Sequence, residues 1–163
     1  MVILVHINDC TIMSNSLDAI LIFRKAIQDH VKITGMGELH WLLWLEVKRN
    51  RENHTLALSQ RAYIESILCW HNLEDSKPIS IPMETSSRLS TAQSPKTTLE
   101  ITAMHDKPYQ EAVGALMYTA LGTRPDSSYT VQRVSWFSIN PGIEHWDAVE
   151  HIFDTWKVQK TRS

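Results

Sequence analysis

The apolar runs of the first sixty residues come in pairs, each pair broken by turn-forming residues. No other feature of the chain excludes as many folds. Residues 2 to 7 and 10 to 13 flank Asn8-Asp9, and residues 39 to 48 and 55 to 59 flank a polar stretch. Runs joined this tightly pair antiparallel, as hairpins. Parallel strands need crossovers of a dozen or more residues, usually a helix. The expected class is therefore α+β, with hairpins and helices in the order hairpin, helix, hairpin, helix.

The intervening segments support that order. Asn15 or Ser16 can cap a helix, and Asp18 suits the positive end of its dipole. Leu17, Ile20, Leu21, Ile27 and Val31 fall on one helical face, and Gly35 and Gly37 are expected to stop it. In the second hairpin Leu43, Leu45 and Val47 alternate with Trp44, Glu46 and Lys48, the period of a strand. Ser59 is positioned to cap a second helix whose inner face is Tyr63, Ile64, Ile67 and Leu68.

Residues 74 to 107 change character. Eleven of these 34 positions are Ser or Thr and three are Pro, so the stretch is expected to act as a linker rather than core. Beyond it, Asp106 and Pro108 open a helix carrying Tyr109, Val113, Leu116, Met117 and Ala120. Pro125 then suits a first helical position, ahead of a helix through Tyr129, Val134 and Phe137. The turn at residues 140 to 142 leads to a last helix with Val149, Ile152, Phe153 and Trp156. The expected organisation is residues 1–73, a linker over 74–107, and a three-helix segment over 108–163.

Composition narrows the function. Of 163 residues, 43% are hydrophobic and 21% charged, enough apolar material for a core, and six Trp add either core or exposed aromatic surface. With 16 basic against 18 acidic residues, the net charge of −2 lacks the basic excess of an autonomous nucleic-acid binder. The two cysteines, Cys10 and Cys69, are expected to be reduced. The opening apolar run is too short for a signal sequence, and no stretch reaches membrane-spanning length. An intracellular chain, cytoplasmic or nuclear, not secreted and without a membrane partner, is the expectation.

Common catalytic patterns are missing. The eight histidines include no pair at i, i+4 spacing, and neither a zinc-protease helix motif nor a Cys-x-x-Cys pair occurs. "GMG" at 35 to 37 lacks the third glycine of a dinucleotide loop, because position 40 is His. No nucleophile elbow is present. What remains is the turn His6-Ile7-Asn8-Asp9. A hairpin tip is a rigid place to hold adjacent carboxylates for two-metal phosphoryl transfer, but this one offers a single carboxylate. Taken by itself it is an Asn-Asp turn.

Its neighbours give the turn more meaning. "HINDCTIMSNS" (6–16), "VKITGMGEL" (31–39), "LLWLEV" (42–47), "LSQRAYIESIL" (58–68) and "KPISIPM" (77–83) follow one another in order. A long block runs from "YQEAVGALMY" through "TRPDSSYTV" to "HWDAVEHIF", residues 109 to 153. These blocks resemble, in sequence and separation, the reverse transcriptase of copia-type LTR retrotransposons. The corresponding family elements are Tyr-Val-Asp-Asp with a following Ser-Asn, K-M-x-D-L-G-E-L, F-L-G-I-E-V, L-S-Q-x-x-Y-I-x-x-I-L, K-P-x-x-T/S-P-M, and a final block built around V-G-x-L-M-Y, T-R-P-D and H-W-x-A-V.

The resemblance implies the end of a right-hand polymerase palm, residues 1–73, followed by an α-helical thumb or connection unit. It implies Mg²⁺ as cofactor and an RNA/DNA primer–template as partner, together with other parts of a Pol polyprotein. It also exposes departures at the positions that matter. Asn8 stands where the family has the first Asp of its pair; a neutral amide oxygen is a poorer ligand for Mg²⁺. Asp9 matches the second Asp and would be a vestigial metal ligand. His6 replaces Tyr, beside Ile7. Trp44 replaces a Gly near the region that grips the primer, and Thr155-Trp156-Lys157 replaces Tyr-Leu-Lys.

Lys48, Arg49 and Arg51 are candidates for phosphate contact in an intact polymerase, or are a solvated turn. Arg124, in Arg124-Pro125-Asp126, is a candidate for nucleic-acid contact or part of a helix-start device. The earlier palm strand with its own Asp is absent from these residues, so productive Mg²⁺ binding and polymerase activity are not expected. Asn8→Asp alone is not expected to restore them. The competing expectation is a non-enzymatic interaction or nucleic-acid-binding protein that reuses the palm–thumb piece.

Overall fold

The computed structural model describes residues 1–73 and 89–158. It is a mixed α+β chain, as expected, and it divides into two compact units, Met1–Leu42 and Leu43–Ser163. No helix among the described residues is long and apolar enough to cross a membrane.

The first unit contains β1 (Val2–His6), β2 (Asp9–Met13) and α1 (Leu17–Gln28), and ends in the two-residue strand β3 (Trp41–Leu42). β1 and β2 pair antiparallel, with Ile3 opposite Ile12 and His6 opposite Asp9. Ser16 caps α1 by accepting the Ala19 N–H at 3.3 Å. The helix stops at Gln28, well before the two glycines expected to end it; the Asp29 and Val31 N–H groups close its last turn onto Lys25 and Ile27 carbonyls.

The best-covered face of α1 also differs from the expectation. Ala19, Ile20, Phe23 and Ile27 are half-buried, whereas Leu17 and Leu21 are exposed. At 100° per residue the four half-buried positions span one arc centred near Phe23, and Leu17 and Leu21 lie outside it. Val31 falls beyond the helix.

The second unit begins with a hairpin and ends in packed helices. β4 (Leu45–Asn50) and β5 (Thr55–Ser59) pair antiparallel around a four-residue turn. The single continuous strand expected over residues 39 to 48 is interrupted at Leu43 and Trp44, whose φ values are 49° and 65°. Left-handed backbone cannot continue a strand. Helix α2 (Arg61–Trp70) follows, with Gln60 at the cap position rather than Ser59. Ser59 nevertheless accepts the Arg61 N–H at 3.3 Å. Ile67 and Leu68 are buried and Tyr63 and Ile64 pack beside them.

The expected linker differs in its described part. Residues 74 to 88, including the 77–83 stretch, lie outside the described residues. Leu89 is buried, and α3 (Thr98–His105) is a regular helix. Thr97 and Glu100 form a reciprocal capping box, and Met104 reaches the core. High Ser/Thr content was thus partly capping chemistry, which composition alone cannot tell from linker.

Helices α4 (Tyr109–Gly122), α5 (Ser128–Ser135) and α6 (Ile143–Val158) pack on one another, and α3 packs on α6. Ala112, Leu116, Val134, Val149, Ile152 and Phe153 have no exposed surface. At about 1.5–3 kcal/mol per large apolar side chain, α6 alone brings most of one helical face of stabilisation. Of the expected core positions, Met117 and Tyr129 are instead exposed. Phe137 is buried but lies after α5 has ended. The Tyr109 hydroxyl donates to the Val134 carbonyl at 2.8 Å, tying α4 to α5, and its burial raises the phenol pKa.

Candidate functional site

The register of the first hairpin fixes the geometry of its tip. His6 and Asp9 pair directly, so Ile7 and Asn8 form a two-residue loop, and Asp9 opens β2 rather than sitting in the turn. Such loops demand left-handed backbone, and Ile7 supplies it with φ 50°. A β-branched residue there is strained by about 1–2 kcal/mol. Strain of this kind concentrates at functional sites. His6, Ile7, Asn8 and Asp9 are all exposed. His6 and Asp9 share one face of the ribbon, as directly opposed residues do.

Mg²⁺ places specific demands on its donors. A hard divalent cation at a polymerase site requires several carboxylate oxygens in near-octahedral array. The tip supplies the Asp9 carboxylate and, at most, the neutral amide of Asn8. Among the described residues no group of three or more His, Cys, Asp or Glu side chains is placed to hold a metal ion. These residues do not fit the cation, and no metal-dependent step follows from them.

The second candidate region centres on Trp44. Its φ of 65° explains why glycine suits this position: glycine enters left-handed backbone without penalty, and Trp does not. The indole is exposed, with its ring 6.0 Å from that of Tyr63. Tyr63 meets Tyr118 edge-on at 5.0 Å. The Tyr118 hydroxyl donates to the Leu43 carbonyl, which fastens the strained loop to α4. Burial, and secondarily the neighbouring Tyr118, raise the Tyr63 pKa. The resulting Trp44–Tyr63–Tyr118 row joins three separated sequence blocks.

The candidate cations fall into two groups. Lys48, Arg49 and Arg51 are exposed on the β4–β5 hairpin. Lys48 is 3.1 Å from Glu46, so part of its charge is answered locally. Arg124 is different. Its guanidinium is buried, donates to both Asp126 oxygens at 2.9 and 2.8 Å, and lies 5.8 Å from the Trp156 ring. The hydrogen bonds from Arg124 lead the effects that lower the Asp126 pKa. Pro125 at the start of the short turn Pro125–Ser127, with Asp126 behind it, makes this motif a helix-start device. Arg124 therefore sits in a packed ion pair rather than on an open surface.

Sequence reasoning missed two buried polar positions. His145 has no exposed surface. Its Nδ1 accepts the Gly142 N–H at 2.9 Å, and its Nε2 lies 3.1 Å from the Ser90 carbonyl. An amide can only donate and a carbonyl can only accept, so the proton resides on Nε2. The ring stacks on Phe137 at 4.0 Å, and burial lowers its pKa. Gln60 Oε1 accepts from Thr123 Oγ1 at 2.8 Å, and its amide lies where a side chain at Gly122 would otherwise go. The signals were present, as a His two residues into a helix and a Gln before one, but neither type announces burial.

Curated proteins provide the comparison. The chain is 34% identical over 151 residues to the retrovirus-related Pol polyprotein from transposon TNT 1-94 of Nicotiana tabacum, covering 93% of this chain and 11% of that protein. It is 39% identical over 150 residues to the corresponding polyprotein from transposon RE1 of Arabidopsis thaliana, covering 92% and 9%. An uncharacterized mitochondrial protein of Arabidopsis thaliana is 31% identical over 156 residues, covering 93% of this chain and 59% of its own length. The chain thus spans about a tenth of the length of the transposon polyproteins it matches. No protein-family model matches it, and no solved structure does. Several of its relatives are Pol polyproteins of plant retrotransposons, and that similarity runs through more than nine-tenths of its residues.

Proposed function

We propose that this chain is a piece of a copia-type reverse transcriptase, with the palm's active-site hairpin at Val2–Met13 and the thumb or connection helices at Tyr109–Val158, and that by itself it is catalytically silent. One observation carries the reading. The tip His6-Ile7-Asn8-Asp9 is a strained two-residue hairpin loop, at the point where the resemblance calls for Tyr-Val-Asp-Asp. The left-handed backbone at Trp44, where the resemblance calls for Gly, gives independent support. Similarity to transposon Pol polyproteins over more than nine-tenths of the chain supports the ancestry.

Silence rests on donors. Two-metal nucleotidyl transfer holds both ions between carboxylates so that attacking and leaving oxygens are stabilised together. Asn8 contributes a neutral amide, and the one carboxylate of Asp9 supplies too few oxygens and too little charge to hold two divalent cations. In the intact enzyme of the family the exposed Lys48, Arg49 and Arg51 would lie along nucleic-acid phosphates, and Trp44 near the primer end. Here they constitute a vestige of that surface.

Primer extension on an RNA template, with Mg²⁺ or Mn²⁺, tests this directly. No templated product is expected from the 163-residue chain or from its Asn8→Asp variant. Synthesis that depends on Asp9 would overturn the proposal of silence. Fluorescence anisotropy with a labelled primer–template tests the other function, nucleic-acid binding without catalysis. Salt-sensitive binding lost in a Lys48→Ala, Arg49→Ala double variant would favour that second reading.

A further inference from the structure

β5 lies at the edge of its sheet, with β4 its one strand partner among the described residues. An edge strand presents a row of unpaired backbone donors and acceptors, and proteins ordinarily blunt such edges with lysine, proline, bulges or brevity. The sequence of β5, Thr-Leu-Ala-Leu-Ser, contains neither a charge nor a proline. Leu56 and Leu58 share one face and are 63% and 50% exposed. The nearby charges, Lys48 and Arg49, belong to β4, one strand further in.

We propose that β5 is a self-pairing edge: two copies of the chain join antiparallel along Thr55–Ser59, about a two-fold axis through Ala57. The strand is self-complementary about that residue. Antiparallel pairing in this register sets Leu56 against Leu58 of the second copy, Leu58 against its Leu56, and Thr55 against its Ser59. A closed pair of this kind has the same patch on both sides. Four leucines then cover one another on one face, and each copy's sheet continues into the other, as in other strand-addition complexes.

The charges permit it. In the β4–β5 register Arg49 stands opposite Leu56 and Lys48 opposite Ala57. Across the axis the two β4 strands are three strand spacings apart, roughly 14 Å, beyond the roughly 8 Å over which exposed charges act at physiological salt. Lys48 is in addition paired with Glu46. Lys48 and Arg49 of the two β4 strands therefore do not meet. A second copy fits better than an unrelated strand, because the polar–Leu–Ala–Leu–polar order needs its own reverse opposite it. Five residues a side bury much less than the roughly 1,200 Å² of a standard interface, so the association is weak and concentration-dependent.

Sedimentation velocity on the 163-residue chain, from low micromolar to about 500 µM, tests the proposal, with Ala57→Lys and Ala57→Glu variants alongside. The unmodified chain is expected to pass from monomer to dimer. Each variant places two like charges opposite one another at the axis and is expected to weaken dimerisation by roughly fivefold or more. An equal mixture of the two variants is expected to recover dimers. A monomer at every concentration, open polymers instead of a dimer, or variants that dimerise like the unmodified chain would each overturn it. Where the variants fail to fold, hydrogen exchange on the unmodified chain decides. Outward-facing amides of Thr55–Ser59 must gain protection as concentration rises, and unchanged exchange refutes the pairing.

Discussion

The two units of this chain spend similar sequence material to different effect. Met1–Leu42 contains Val2, Leu4, Val5, Leu17, Leu21 and Ile22, all exposed, and not one of its residues is buried. Leu43–Ser163 contains a continuous core to which α4 alone contributes five buried residues. Helix α1 has a side-chain cap from Ser16 and a clean apolar arc; α4 has no side-chain cap. Good local signals thus accompany the bare helix and poorer ones the buried helix. Local sequence chooses an element, whereas burial needs a second layer to pack against, and packing supplies most helical stability in proteins.

The comparison breaks first at Phe153. It has no exposed surface and meets Trp156 at 5.5 Å and the His71 ring at 5.4 Å. Phe153→Ala is expected to cost about 3–5 kcal/mol, seen as loss of the cooperative urea transition. Leu21→Ala, in the other unit, is expected to change the same transition by less than about 0.5 kcal/mol. Equal effects would erase the contrast.

Gly142→Ala comes next. A Cβ there would lie 1.9 Å from the Gln93 carbonyl oxygen, a backbone atom that cannot swing aside. Forcing that approach is expected to cost about 1–3 kcal/mol, read as a lower denaturation midpoint. Gly114→Ala, where nothing lies within 4 Å, is the matched control and is expected to be neutral or slightly stabilising.

Acidity sharpens the contrast further. Burial is the leading cause of a lowered pKa at both His145 and His71, in the second unit. In the unfolded chain each takes up a proton near pH 6.5; in the folded chain each does so only at lower pH. The unfolded state therefore binds more protons as pH falls below about 6.5, and stability present above that value is lost on acidification. Urea midpoints for the second unit should fall from pH 7.5 to 5.5. His145→Gln should flatten that slope.

Trp44→Gly carries the smallest expected net change. Glycine removes about 1–2 kcal/mol of left-handed strain, while losing the ring contact with Tyr63 sacrifices about 0.5–1.5 kcal/mol. Thermal melts are expected to agree within about 1 kcal/mol of the unmodified chain. A large destabilisation would mean that the Trp44–Tyr63–Tyr118 row, rather than the backbone, dominates this loop.

Much of this was legible beforehand. The β1–β2 hairpin, the Ser16 cap and the α6 stripe of Val149, Ile152, Phe153 and Trp156 all follow from period and capping, which are short-range properties. The candidate site was legible only through ordered sequence blocks, because a lone Asn-Asp turn has no distinguishing chemistry. The break at Leu43-Trp44 was not legible: an alternating apolar run reads as strand until a distant hydroxyl, here that of Tyr118, holds its backbone elsewhere. For Arg124 the helix-start reading was open from the sequence, but neither its neighbour Asp126 nor the distant Trp156 reveals from spacing that the guanidinium is enclosed.

By itself the sequence determined the α+β class, the antiparallel pairing at residues 2–13, and the single carboxylate, Asp9 beside the neutral amide of Asn8, at the hairpin tip. These are consequences of side-chain period, turn length and residue identity, and each is decided within a few positions. Tertiary structure alone decided which apolar residues are covered, that Leu89 and Met104 join the core, that Trp44 occupies left-handed backbone, and that His145 is enclosed between Gly142 and Ser90. Those outcomes depend on groups tens of residues apart meeting in space, and no local pattern encodes which partner will be there.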